Sequence, residues 1–271
     1  MRRAAVAGRF YPADPVKLET AVRGFVEASP PGKEPWPVAL IAPHAGYAYS
    51  GPVAGSAYAL VAPGRGRIQR VVVLGPSHHL AFRGLAAPGC EAFATPLGVH
   101  EVDAERMAAL CVNPIVRRWQ KPHRDEHSLE VHLPFIQVVL GPIPVLPLLT
   151  GEVGPGEVAD VLDAVWTADT LVVASSDLSH YLPAEEARER DAWTATIIEG
   201  LHAGSLGPTR ACGCQGVRGL LVWARRRGLV ARCVDLRNSG DTGGPAGRVV
   251  GYGAFGFWRA EALDPELEED G

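Results

Sequence analysis

The sequence predicts an α/β domain around a central, mainly parallel sheet, and three observations predict it. Short apolar runs recur at 37–42, 70–74 and 170–174, segments of helical character lie between them, and each run stops in a polar, histidine-bearing loop. Runs of this kind suit strands buried on both faces, which carry helices above and below. The expected architecture is one three-layer α/β/α domain over residues 1–271, its sheet mixed at the edges, with an acidic tail from about 262.

Taken in order, Pro15 to Ala28 is the first expected helix, and Pro-Val-Ala-Leu-Ile-Ala at 37–42 is a buried strand ended by Pro43. The small residues from Pro52 to Val61 suit a helix packed closely on a sheet. Arg-Val-Val-Val-Leu at 70–74 is a β-branched strand stopped by Gly75 and Pro76. Helices are expected at Ala104 to Val112 and Glu126 to Leu140. Pro144 and Pro147 interrupt the apolar run 143–149 and demote it to an edge or irregular strand. A helix from Gly156 to Trp166 leads to the strand Thr-Leu-Val-Val-Ala at 170–174. The helix Ala184 to His202 has early acids, interleaved arginines, and Trp193, Ile197 and Leu201 as its expected core stripe. A helix from Gly216 to Arg227 precedes the final strand at 248–258, whose glycines suit close packing.

Composition removes several classes of function. The chain has 271 residues, 47% hydrophobic and 21% charged, with a net charge of −4 and no block of like charge except Glu266 to Asp270, so nucleic acid is a poor partner. No apolar stretch approaches the roughly 18 residues of a membrane span, and the opening Met1-Arg-Arg leads to no signal-peptide core. Five cysteines with no paired spacing fit a reducing, cytoplasmic compartment.

Open α/β sheets place their sites beyond the carboxyl ends of the strands. Three such loops carry histidine: His44 after the first run, His78 and His79 after the second, and His180 with Asp177 after 170–174. One such histidine is unremarkable, but three on one sheet edge indicate a shared site. Cys212 and Cys214 stand before an apolar helix, whose N-terminus lowers a thiol's pKa and favours the metal-binding thiolate. Cys90, Cys111 and Cys233 have no polar cluster around them and read as packing. Asp125 to Pro134 holds two further histidines; on a helix His127 and Glu130 share a face, as a group that orients ligands or meets substrate, while His132 reads as an exposed histidine near a helix start. Ser176, Asp177, Ser179 and His180 supply hydrolase residue types without a GxSxG elbow. The glycine-rich stretch 238–244 has no Walker lysine and reads as a tight loop with Asp241 available to line the site.

These motifs, in this order, resemble the Memo family, whose prokaryotic members are called AmmeMemoRadiSam system protein B, and which is similar in fold to the LigB subunit of class III extradiol dioxygenases. The resemblance rests on Ala7-Gly-Arg-Phe-Tyr-Pro12, Ile41-Ala-Pro-His-Ala-Gly-Tyr47, Leu74-Gly-Pro-Ser-His-His79, Glu126-His-Ser-Leu-Glu-Val-His-Leu-Pro134, Ser175-Ser-Asp-Leu-Ser-His180, Cys212-Gly, Asn238-Ser-Gly-Asp241 and Val250-Gly-Tyr252. It implies a LigB-like fold and a metal held by His44, His78 and Cys212, with Cys212 where the dioxygenases use a carboxylate. It also implies His180 as acid/base beside Asp177; from their own positions, His127, Glu130 and Asp241 are expected to line the site or orient its ligands, and His79 is either such a group or a structural residue.

The activity implied is that of a metal-dependent oxidoreductase using iron, with copper or zinc as alternatives, since a thiolate beside imidazoles suits these metals. Two other classes are consistent with the motifs: a non-catalytic module binding metal or a phosphopeptide in the cleft, and a metal-dependent hydrolase using Asp177 and His180. The resemblance further implies a functional link to radical SAM and AMMECR1-like proteins.

Overall fold

The computed structural model describes residues 1–29 and 35–263. The expected acidic tail therefore lies, beyond Leu263, outside the described residues. In chain order the elements are α1 (Pro15–Glu27), β1 (Ala39–Ala42), α2 (Tyr47–Ala59), β2 (Arg70–Pro76), β3 (Leu85–Ala87), β4 (Ala92–Thr95), β5 (Gly98–Glu101), α3 (Ala104–Leu110), β6 (Val116–Arg118) and α4 (Gln120–His123). There follow α5 (Leu133–Val139), β7 (Val145–Thr150), α6 (Pro155–Val165), β8 (Thr170–Ser175), β9 (His180–Leu182), α7 (Ala184–Glu199), α8 (Cys214–Arg226), β10 (Leu229–Asn238) and β11 (Val249–Arg259).

The main sheet runs β10-β11-β1-β8-β2-β7-β3-β6, with β9 paired to β11, while β4 and β5 form a separate hairpin. Its centre, β1-β8-β2-β7, is parallel; β11 and β10 on one side and β3 on the other enter antiparallel. The three apolar runs lie side by side as β1, β8 and β2, fully buried save for Arg70. Helices flank the sheet. One layer has α2 against β1 and β11, with α1 and α5 beside it, and another has α8 on β2 and β8 with α6 against it. Small residues let α2 come close: a Cβ at Gly55 would collide with the Phe25 carbonyl of α1. Among the described residues no helix is long and apolar enough to cross a membrane.

Three sequence expectations give way. The run 143–149, expected at an edge, is the interior strand β7 between β2 and β3. The Val71 amide donates to the Pro144 carbonyl, so alternation turns the amides of residues 146 and 148 toward β2 and that of Pro147 away. On that far side β3 pairs only with Leu149 and Thr150, so the missing donor of Pro147 interrupts nothing.

The helix expected over Glu126 to Leu140 shortens to a 3-10 turn at Glu130–His132 followed by α5. The Glu126 carboxylate accepts from the amides of His127 and Ser128, and this local pairing displaces the first helical turn. On α7 the expected stripe holds at Ile197, which is buried, and just past its end at Leu201, which packs against the core, but fails at Trp193, which is 58% exposed; Ala187, Asp191, Thr194 and Ile198 face inward instead. Asp191 is needed inside, where its carboxylate takes both the amide and the hydroxyl of Ser179.

Candidate metal centre

The carboxyl ends of β1, β8 and β2 are adjacent, so the loops that follow them converge. His44 comes two residues after β1, Asp177 two after β8, and His78 two after β2. His127 joins them from the segment before α5, and one ring nitrogen from each of His44, His78 and His127 lies within 4.8 Å of the others. The Cys212 sulfur approaches from the chain before α8, 3.2 Å from His44 Nε2. Its approach depends on Gly213, where a Cβ would collide with the Ser175 carbonyl.

Hydrogen bonds fix how the rings present themselves. Ser175 Oγ donates to the Ser128 carbonyl at 2.6 Å and lies 2.7 Å from His44 Nδ1. Its one proton is thereby used, so it accepts from His44 Nδ1–H and the lone pair of His44 stands on Nε2, facing Cys212. His78 Nδ1 lies 2.9 Å from the Glu126 carboxylate. His127 is sandwiched, with the His78 ring stacked at 4.6 Å and Phe10 at 4.6 Å. Burial, reinforced by the neighbouring histidines, holds His44 well below the ordinary imidazole range. Burial likewise brings His127 down to about 4, against the opposing charge of Glu126. Both are therefore neutral ligands at pH 7.

Asp177 accepts from the His44 amide at 2.8 Å, and burial pushes its carboxyl up to about 6 despite that bond. His180 Nδ1 lies 2.8 Å from the Leu178 carbonyl and must donate to it, which leaves the lone pair on Nε2. The loop carrying both is pinned by Asp191 and by the Leu178 amide, which donates to Gly251 of β11. Tyr181, next to His180, has φ +60, a left-handed conformation that a tyrosine adopts only when its surroundings impose it.

Cys212 departs from expectation in its chemistry. α8 starts only at Cys214, and burial, then the charge of Asp177, raise the Cys212 thiol well above its ordinary range. A bound cation would have to displace that proton, so affinity for metal at this site rises with pH. The donor set nonetheless fits a transition metal: imidazole nitrogens, that of His44 with its lone pair on Nε2, beside one sulfur.

The remaining predicted residues are placed as follows. His79 is exposed, its ring 6.5 Å from His127. Glu130 is fully buried but spends its carboxylate on Arg2, the amides of Ala5 and Val6, and the Tyr11 hydroxyl. Asp241 is held by Arg188 and the Asn238 amide. His132, expected exposed, is 1% exposed and contacts the Tyr58 hydroxyl, because the turn that replaces the helix points it into the core. Cys90, Cys111 and Cys233 are partly buried against the core, and Cys214 is buried. Sequence reasoning did not single out Glu126 and Ser175 as ring-orienting groups; the one signal for Glu126 was an acid immediately before His127.

A cavity of about 520 Å³ reaches Cys212 between the loop after β2 and the start of α8. Pro76, Leu80 and Phe82 form its apolar wall and Gln215 its polar one, with the exposed Arg83–Glu152 pair also at its lining.

A family model described as Memo-like protein matches residues 2–255. Relatives described as MEMO1 family proteins are similar along nearly the whole chain. That of Desulfurococcus amylolyticus is 32% identical over 280 residues, covering 95% of this chain and 99% of the relative. That of Methanopyrus kandleri is 35% identical over 285 residues with the same coverage of each, and that of Aquifex aeolicus 34% over 267, covering 93% and 97%. An uncharacterized protein of Escherichia coli K12, solved by crystallography, overlaps with a TM-score of 0.46 at 16% identity over 80% of this chain and 98% of that one, a likeness too loose to carry weight.

Proposed function

The chain belongs to the Memo-like family, and from that premise we propose that it is a metal-dependent oxidoreductase whose centre is built by His44, His78 and Cys212, with His127 beside them. The observation that carries this reading is the convergence of imidazole nitrogens and one sulfur at the carboxyl ends of three adjacent strands. The N/S donor set suits iron, copper or zinc, of which iron is the one we propose. Such a metal would supply Lewis acidity and, as iron or copper, a redox couple for an oxidisable substrate.

The protein's own residues divide the remaining work. The cavity beside Cys212 would hold the body of a small substrate against Phe82 and Leu80. His180, with its Nδ1 proton committed to the Leu178 carbonyl, has Nε2 free to take a substrate proton and return it. Asp177 supports His44 by accepting a hydrogen bond from the His44 backbone amide. All five thiols are free, which suits a reducing compartment.

Metal analysis of protein purified anaerobically tests the site. The expected result is about one transition metal ion per chain, lost in His44→Ala and Cys212→Ala. A metal-free wild type, or unchanged metal in both variants, would overturn the assignment. Oxygen uptake with catechols and thiols tests the activity, and His180→Ala should abolish turnover while keeping the metal. Turnover equal to wild type would remove the proton-transfer role.

A further inference from the structure

Glu126 contributes one carboxylate to an unusual number of donors. Its Oε2 accepts from the His78 amide at 2.6 Å. Its Oε1 accepts from the amides of His127 at 2.9 Å and Ser128 at 3.0 Å, and lies 2.9 Å from His78 Nδ1 and 3.3 Å from His127 Nδ1. The side chain is 1% exposed, Arg2 reaches only its backbone carbonyl, and among the described residues no guanidinium pairs with the carboxylate. Everything the carboxylate touches belongs to the loop after β2 or to the segment that supplies His127.

We propose that Glu126 is the positioning residue of the metal centre: its carboxylate sets His78 with the proton on Nδ1 and the lone pair on Nε2, and clamps the backbones of His78 and His127 at ligand distance. This rests on the metal-site reading above. An ionised carboxylate only accepts, so His78 Nδ1 must be the donor. The negative charge also makes both rings stronger ligands, as carboxylate–histidine pairs do at metal sites. Glu130, the acid that helical spacing would pair with His127, is spent on the N-terminal segment, which leaves this task to Glu126.

Glu126→Gln tests the idea because the shape is kept and one acceptor becomes a donor. If the new NH2 faces the His78 amide, two donors oppose each other. If it faces the other side, it opposes the amides of His127 and Ser128 and meets His78 Nδ1, which must then become the acceptor and carry its proton on Nε2, where the metal would bind; in either orientation the neutral amide holds the Nδ1 proton less firmly than the carboxylate did. Cobalt(II) titration by calorimetry under anaerobic conditions should show affinity about 10–100-fold below wild type. Nitrogen-15 NMR of metal-free protein should show His78 as the Nδ1–H tautomer in wild type and as Nε2–H, or a mixture, in the variant. A purely structural glutamate would lower the melting temperature without moving that signature.

Affinity within about twofold of wild type in a folded variant would overturn the proposal. If the variant does not fold, the wild-type spectrum still decides, since an Nε2–H tautomer of His78 there refutes it. Wild-type protein that binds no cobalt would remove the metal-site reading and this proposal together, whereas cobalt bound equally by both proteins removes this proposal alone.

Discussion

Removing the Ser175 hydroxyl separates what holds the fold from what prepares the ligand. Ser175 is 1% exposed; its Oγ accepts from His44 Nδ1–H at 2.7 Å and donates to the Ser128 carbonyl at 2.6 Å. Ser175→Ala leaves a donor and an acceptor unpaired in a buried place, while the lost oxygen leaves too little space for a water. Each unpaired group costs about 1–3 kcal/mol, so the pair should cost about 2–6 kcal/mol. Urea unfolding followed by circular dichroism measures this, with the slope unchanged and the midpoint lowered. The variant should also bind zinc about tenfold more weakly, because His44 no longer has a reason to keep its proton on Nδ1. A stability loss below about 0.5 kcal/mol would refute the inference that Ser175 bridges these two groups.

Other substitutions probe neighbouring parts of the same framework. Glu130→Gln strands the buried Arg2 guanidinium and should cost about 3–5 kcal/mol, with faster hydrogen exchange at Ala5 and Val6; unchanged exchange there would contradict the clamp. Gly213→Ala forces the start of α8 off the Ser175 carbonyl, costing about 1–3 kcal/mol and weakening zinc binding; a variant that matches the parent in both would show that the close approach is not needed. Burial holds His123 at about 4 and His132 at about 3, both below the unfolded value of 6.5. The unfolded chain therefore binds more protons between these limits, so their contribution is complete above pH 6.5 and falls as the pH drops toward 4 and 3. By pH 4 each has withdrawn on the order of 3 kcal/mol, and equal stability at pH 7.5 and pH 4.5 would show that these rings are not buried neutral.

The central strands were legible because burial on both faces imposes a local signature: Val71 to Leu74 and Leu171 to Ala174 can hardly be anything else. The site histidines were legible for a related reason, since a loop that follows such a strand has nowhere to go but the sheet's carboxyl edge. What escaped depends on partners distant in sequence. Pro147 disrupts an interior strand only if the neighbour on its far side needs that amide, and β3 is too short to need it. Trp193 yields its inward position because Ser179 requires Asp191 there. Glu126 looked like a helix-start acid until the fold laid it beside His78. At Cys212 the expected pull of a helix N-terminus is outweighed by desolvation and the charge of Asp177.

The Arg2–Glu130 pair also bears on the order in which the molecule is made. The two residues are 128 positions apart, and Arg2, Ala5, Val6 and Tyr11 all wait for the same carboxylate. During synthesis the N-terminal segment therefore emerges long before its anchor, and it docks only after the chain has passed Glu130. Phe10, whose ring lies 4.6 Å from that of His127, arrives with that docking, as does the guanidinium that grips the backbone of Glu126 and His123. Completion of the candidate site therefore waits both for the N-terminal segment to return to Glu130 and for Cys212, which follows Glu130 in the chain, to arrive beside His44.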